Sequence, residues 1–357
     1  MAPKEQELPW DLFDRCLLPV LFSHAAAVIV ATLLHTFNIS HISTVSLFLL
    51  FVSVSLAVVL FYHNLKVTAA GKGILLTDCD SQIGYTFARQ LDNLGFTVYA
   101  CFTETQGNEE ARKLKEESSG RLHIVQLDVA SEEQILAAAD YVKNNLPQGA
   151  IGLWAIVNNA SWATFGEVEW VPYNVFKLAV DVNLLSVVRI SQVFLPLVRK
   201  TRGRIINLVS IMGRITSPNL SSYCACKFGV EAFSECLRLE MRHWGVDVVV
   251  VEPGTYTTGK KGFSKAMMLY QAQLMWNTMS EDARKDYGED YFEKRVRSLE
   301  EFTKGPETDT GPVLRALSDA VARTFPLPRY TPITRAEKLQ ILVAEHLPRS
   351  VYDILYT

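Results

Sequence analysis

The sequence has no excess of positive charge. Lysine and arginine number 35 against 38 aspartates and glutamates, a formal net charge of -3 over 357 residues, which argues against nucleic acid as a partner. It has no CxxC pair. The six cysteines, Cys16, Cys79, Cys101, Cys224, Cys226 and Cys236, read as free thiols of a reducing compartment rather than a disulfide framework or a zinc site. The seven histidines are scattered, without an HxxxH or HExxH pattern, so no metal is expected. Two stretches lack charge altogether: residues 16–37 and 44–62 contain no Asp, Glu, Lys or Arg, and each is near the roughly 20 residues needed to cross a bilayer. A basic leader is missing too. Residues 1–15 carry Glu5, Glu7, Asp11 and Asp14, which fits a signal peptide or a mitochondrial targeting peptide poorly. The link 38–43 has no Lys or Arg, whereas Lys4, Arg15, Lys66 and Lys72 flank the outer ends. These absences predict an N-terminal transmembrane helical hairpin within residues 1–72, with both ends on the cytosolic side. A single span with the other segment lying in the interface is the alternative.

What is present is a chain with 49% hydrophobic residues, long enough for one large α/β domain after the hairpin. Residues 73–77 (GILLT), 97–102, 122–127, 153–157, 204–208 and 246–251 are short apolar runs of the kind buried in parallel sheets. Between them the pattern is helical over 85–94, 109–117, from Ser131 onward, 171–200 and 221–244. Ser131 with Gln134 three residues on is a helix-start signature. Strands alternating with helices imply right-handed crossovers and a doubly wound parallel sheet of Rossmann type. Ligands of such sheets sit beyond the carboxyl ends of the strands, so the first turn, Thr77-Asp78-Cys79-Asp80-Ser81-Gln82-Ile83-Gly84, is expected to cradle a pyrophosphate.

The chemistry is concentrated in residues 210–227. Tyr223 and Lys227 are four residues apart, which on a helix puts both side chains on one face. A free tyrosine has a pKa of about 10; an ammonium one turn away favours the phenolate and lowers it. Such a tyrosine can take the proton of a secondary alcohol or return it to a ketone. Ser210 lies upstream, across a Gly/Pro/Asn/Ser-rich loop, where its hydroxyl could bind the same oxygen. YxxxK alone is common in helices. The order of elements around it is what makes it specific.

With those residues in place, the region from about residue 71 to the C-terminus resembles the short-chain dehydrogenases/reductases. Phrases such as FGEVE, FLPLVRK, KFGVEAFSECLRLEM and KDYGEDYF are similar to the branch of hydroxysteroid, retinol and D-beta-hydroxybutyrate dehydrogenases. The resemblance implies a bound NAD or, less favoured, NADP, and a possible homodimer. It makes Ser210, Tyr223, Lys227 and Asn183 the catalytic set, with Asn183 holding a water that connects to the lysine. Lys227 also holds the ribose. On the cofactor side it implies Thr77, Asp80, Ser81, Ile83 and Gly84 in the first turn, Asp128 against the adenine, Asn158 and Ala160 after the fourth strand, and Pro253, Gly254 and Thr258 beside the nicotinamide. The chain departs from the family where Asp78, Gln82 and Ser161 replace glycines. The second strand ends in Cys101-Phe102-Thr103-Glu104 without an arginine for a 2′-phosphate, which favours NAD.

After the sixth strand, residues 266–279 are rich in Met, Leu, Tyr and Trp. Met267, Met268, Leu269, Leu274, Met275 and Trp276 would suit a hydrophobic lid or, equally, a helix packed on the core. The substrate cover is expected to span about 261–305, with 280–304 a solvated helix, another helix over 311–324, an edge strand near 329–332, and a tail at 338–356 against the membrane. The expected function is a membrane-anchored NAD(H)-dependent oxidoreductase interconverting a secondary alcohol and a ketone on a lipophilic substrate such as a steroid or retinoid. The expected location is the endoplasmic reticulum membrane, with the catalytic domain in the cytosol. The alternatives are a D-3-hydroxybutyrate dehydrogenase in the mitochondrial membrane, and a binding protein whose altered dinucleotide loop impairs catalysis.

Overall fold

The computed structural model describes residues 10–254, 265–303 and 309–356. It divides into two compact units, one of Met1–Thr68 with Ala322–Leu327 and one of Ala69–Val321 with Pro328–Thr357.

In the first unit the two charge-poor stretches form helices α1 (Trp10–Thr36) and α2 (Thr44–Asn64), joined by a short link. They pack on each other through Leu47 of α2 against Ala27 and Ala31 of α1, small residues that let helix backbones approach. Ser23 and Ser55 share a hydrogen bond of 3.1 Å across the pair. Ser43 caps the start of α2 by accepting from the Ser46 amide. Leu18, Leu21, Phe22, Leu49, Leu50 and Phe61 remain exposed, and Arg15–Thr36 and Thr44–Asn64 are long and apolar enough to cross a membrane. The segment 322–327 joins this unit through the Val67 amide on the Ala322 carbonyl at 2.7 Å and the Thr324 amide on the Leu65 carbonyl at 2.9 Å.

The second unit is built on seven strands: β1 (Gly73–Leu76), β2 (Thr97–Phe102), β3 (Leu122–Gln126), β4 (Ala155–Asn158), β5 (Arg204–Leu208), β6 (Asp247–Val251) and β7 (Arg329–Tyr330). Their order is β3-β2-β1-β4-β5-β6-β7, and every neighbouring pair is parallel. The helices between them are α3 (Gln82–Asn93), α4 (Glu109–Glu116), α5 (Glu132–Asn144), α6 (Tyr173–Val180), α7 (Ser186–Thr201) and α8 (Ser221–Met241). β1, β2 and β4 are buried along their whole length, the reason their sequences run apolar rather than alternating. The strand order reverses between β1 and β4, the place where sheets of this kind hold their ligand crevice, above the carboxyl ends.

Two helices differ from the periodicity reading. The expected single helix over 171–200 is interrupted by a π-helical turn at Asp181–Leu185, placed where Asn183 turns inward. Tyr173–Thr201 is also long and apolar enough to cross a membrane, but its Ile190, Phe194, Leu197 and Val198 lie in the sheet core, which accounts for that composition. The first helix starts at Gln82 rather than Tyr85, so Gln82, Ile83 and Gly84 are its first turn.

After β6 come α9 (Lys265–Thr278), α10 (Glu281–Tyr287), α11 (Glu289–Thr303) and α12 (Gly311–Ala322). The expected solvated helix over 280–304 is two helices broken at Gly288, where φ is +76°. It is not solvated all round: Phe292 and Val296 are buried with Met268, Met275 and Trp170. The tail forms α13 (Arg335–His346) and α14 (Arg349–Tyr356). Thr334 and Glu337 make a capping box at the start of α13. One face of the tail, carrying Ile341, Val343 and Tyr352, packs on Ile211 and Ile215, so the tail supports the loop after Ser210.

Candidate active site

The first turn of the crevice is shaped by one glycine and one strained residue. Asp78 has φ +55°, a left-handed conformation that aspartate tolerates better than most residues. Its carbonyl accepts from the Ser81 amide at 3.2 Å and the Ser81 hydroxyl at 2.8 Å. A Cβ on Gly84 would fall 2.1 Å from that same carbonyl, so only glycine lets α3 start this close to the turn. Ser81 is the N-cap of α3, accepting from the Gly84 amide. Gln82 is exposed at the first helical position and does not occupy the interior of the turn.

The turn is held from the neighbouring strand. The Thr77 hydroxyl accepts from the amides of Asn159 at 2.9 Å and Ala160 at 3.1 Å. The Asn159 side chain donates to the Thr77 and Asp78 carbonyls, both at 3.1 Å, and to the Ser81 hydroxyl at 3.2 Å. Asn159 was not among the expected residues, yet it does this tying. The signal was its place beside Asn158 at a strand end. Asn158 instead points along the sheet, donating to Asn207 at 2.8 Å, and Asn207 donates to Ser234 at 2.8 Å. Asp80 reaches away from the turn to the end of β2, accepting from the Thr103 amide and the Asn108 side chain. Asp128 lies past β3 and accepts from the Ala130 amide at 2.9 Å. Ile83 is half-buried in the first turn of α3.

Across the crevice, Ser210 follows β5 and opens a short 3-10 turn, Ile211–Gly213, its hydroxyl accepting from the Met212 amide. Gly213 lies against α8: a Cβ there would come within 3.0 Å of the Lys227 carbonyl. Tyr223 and Lys227 occupy one face of α8 as their spacing requires. The Lys227 ammonium sits 5.4 Å from the Tyr223 ring centroid and donates to the Leu208 carbonyl at 3.4 Å. Lys227 is 1% exposed and Tyr223 and Ser210 are 4% exposed. The ammonium is thus carried from α8 to the end of β5, where Ser210 lies two residues further on.

Asn183 is fully buried in the π-helical turn. Its amide donates to the Trp162 and Ala179 carbonyls at 2.7 and 2.9 Å, and its oxygen accepts from the Trp162 amide at 2.9 Å and the Ser161 hydroxyl at 3.3 Å. The side chain therefore locks the loop after β4. Ser161, which replaces a glycine of the family pattern, joins this lock. Pro253 accepts from the Ile211 amide at 3.0 Å, tying the end of β6 to the Ser210 loop. Gly254 lies against the Glu337 carboxylate. Thr258 lies outside the described residues.

Beneath the site is an ionic network that sequence reading missed. Glu252 is fully buried and pairs with Arg214 at 3.3 Å and with Arg329. Arg329 also meets Glu231 at 2.8 Å, whose carboxyl is pushed up by burial and drawn back by Arg329. The thiols beside Tyr223 and Lys227 are held protonated: burial raises Cys226 to about 11 and Cys224 in the same direction. Neither is a thiolate nucleophile at neutral pH. Among the described residues no cluster of His, Cys, Asp or Glu could hold a metal ion.

The cover is anchored on the loop after β4. Met268 and Met275 of α9, with Met279 just after it, pack on Phe165, Trp170 and Val171, while Met267, Leu269 and Tyr270 are exposed. Gln271 is buried and accepts from the Thr164 hydroxyl at 3.1 Å.

Comparison with known proteins gives the same picture. The short chain dehydrogenase profile matches residues 72–268. The rat mitochondrial D-beta-hydroxybutyrate dehydrogenase is 39% identical over 296 residues, covering 83% of this chain and 86% of the relative. Mouse retinol dehydrogenase 16 is 39% identical over 286 residues, covering 80% and 87%. A short-chain dehydrogenase/reductase from Burkholderia phymatum, solved in complex with NAD, superposes with a TM-score of 0.60 at 20% identity, over 78% of this chain and 94% of that one.

Proposed function

The chain belongs to the short-chain dehydrogenase family, and on that premise we propose that it is a membrane-anchored, NAD(H)-dependent oxidoreductase. It interconverts a secondary alcohol and a ketone on a neutral lipophilic substrate such as a steroid or retinoid. The observation that carries the reading is the buried Lys227 ammonium 5.4 Å from the Tyr223 ring, on the face of α8 next to the Ser210 loop.

The residues of the first turn fit a dinucleotide. Gly84 permits the close start of α3, and the Asn159 side chain braces the turn through the Thr77 and Asp78 carbonyls and the Ser81 hydroxyl. A helix start leaves its first amides without helical partners; Ser81 takes that of Gly84, and those of Gln82 and Ile83 are left to bind a diphosphate. Thr77, Asp128, Ala160, Pro253 and Gly254 border the same crevice, and Lys227 holds a ribose. Bound there, a nicotinamide would accept or supply the hydride. Tyr223 takes the proton from the substrate hydroxyl, or returns it, as its phenol oxygen gains or loses charge beside the ammonium. Lys227 keeps that phenol acidic. Ser210 donates to the substrate oxygen and orients it. Asn183 fixes the loop 161–162, so that this wall of the crevice does not drift.

Support for a lipophilic substrate comes from the cover, with Met268, Met275 and Trp276 around Trp170, and from the two apolar helices. Arg295, which lines the cleft beside the cover, stands 3.9 Å from Glu167, which makes it a poor counter-ion for a small acid. The endoplasmic reticulum is the proposed membrane, with the second unit in the cytosol. The second reading, D-3-hydroxybutyrate oxidation in mitochondria, is favoured by the identity to the rat enzyme. The experiment assays purified full-length protein with NAD and with NADP on a hydroxysteroid, a retinol and D-3-hydroxybutyrate. The proposal expects NAD-linked turnover of a lipophilic alcohol; turnover of the hydroxy acid alone selects the second reading.

A further inference from the structure

The loop that leads into α8 carries polar groups that the fold does not use. The amide oxygen of Asn219 and the hydroxyl of Ser221 are buried and have no hydrogen-bond partner among the described residues. Folded proteins seldom leave such atoms unpaired, because an unmade bond costs the full desolvation of the group. Asn219 is also held in place: its φ is +65° and its carbonyl accepts from the Gly166 amide at 2.9 Å. Both residues line a cleft of about 710 Å³, within the range of small-molecule sites.

The facing wall is aromatic and acidic. Tyr287 donates to Glu169 at 3.2 Å and Tyr291 donates to Glu167 at 2.7 Å. Arg295 stands 3.9 Å from Glu167, so two carboxylates outnumber one guanidinium at the rim. Behind the tyrosines, Trp170 is 2% exposed and packs edge-on to them at 5.3 and 6.0 Å. Its indole N–H is buried without a partner among the described residues as well.

We propose that this cleft binds the far end of the substrate, and that the end it takes is neutral and hydroxylated. The inference rests on the oxidoreductase reading above and narrows its substrate class. Asn219 accepts from a ligand hydroxyl, Ser221 donates to or accepts from it, and the aromatic wall covers the adjoining apolar skeleton. The acidic rim repels a carboxylate. Ser221 opens α8 two residues before Tyr223, on another face of the helix, so the ligand reaches around the N-terminal end of α8 from the catalytic crevice to the cleft.

The test uses full-length protein in detergent with NAD and two steroid secondary alcohols, identical except for a hydroxyl on the ring farthest from the reacting carbon. The wild type is expected to prefer the hydroxylated probe in kcat/KM. Asn219→Leu and Ser221→Ala are each expected to reduce that preference about tenfold or more. Turnover without preference in the wild type, or a preference unchanged in both variants, overturns the subsite while leaving the oxidoreductase reading intact. If the wild type turns over neither probe, that reading fails instead, and the site is judged by binding. Quenching of tryptophan fluorescence by the hydroxylated probe should then weaken about tenfold in Asn219→Leu, and equal binding overturns the subsite.

Discussion

At the residue scale, the site is set by atoms that come closer than ordinary side chains allow. Gly84 is the clearest case, because the place a methyl would occupy is 2.1 Å from the Asp78 carbonyl. Gly84→Ala should push α3 off the turn. We expect a loss of about 1–3 kcal/mol of stability, the usual cost of overpacking, together with weakened dinucleotide binding, read by thermal unfolding and by titration with NADH. An unchanged melting temperature and affinity would show that the turn yields freely. Gly84 was legible in the sequence because its type is demanded by local geometry, whereas Thr77 was legible only through the family resemblance, since the amides its hydroxyl accepts from lie 82 and 83 positions away. Asp78 was legible as a residue able to hold a left-handed backbone. Asn159 was not, since its three acceptors lie 78 to 82 positions away and no local pattern records them. Separations of 38 and 77 positions hid the partners of Glu252 in the same way.

At the element scale, the buried strands and α8 were readable from apolar runs and from the four-residue spacing of Tyr223 and Lys227. The π-helical turn was not. An unbroken helix and one with a single widened turn carry the same apolar pattern, and the deviation is decided by Asn183 bonding the loop after β4. The cover was read as lid or core, and one face of α9 is packed: Met268 and Met275 are buried, while Met267 and Leu269 are exposed. Its hub is Trp170, which contacts Tyr287, Tyr291 and Phe292. Trp170→Ala should cost about 3–5 kcal/mol as a large cavity opens. Because α9, α10 and α11 meet on this ring, KM for a lipophilic alcohol should rise more than kcat falls. Steady-state kinetics beside a melting curve check both; unaltered KM would mean that the cover does not touch the substrate.

At the scale of the whole molecule, the chain joins an apolar helical pair to a doubly wound sheet. The pair has little polar surface: Ser23 and Ser55 meet each other, and most of the remaining side chains are exposed hydrophobics. In the second unit, the expected crevice lies where the strand order reverses; there the loops after β5 and β6 are tied by the Ile211 amide on the Pro253 carbonyl, and the loops after β4 and β5 by the Gly166 amide on the Asn219 carbonyl. All of this converges on one phenol. The most direct measurement compares wild-type protein and Tyr223→Phe in the NAD-linked oxidation of a lipophilic secondary alcohol, with NADH affinity determined for both. The account predicts a fall in turnover of about a hundredfold or more, the usual scale of acid–base catalysis, with NADH affinity retained. Equal turnover by the two proteins would contradict it.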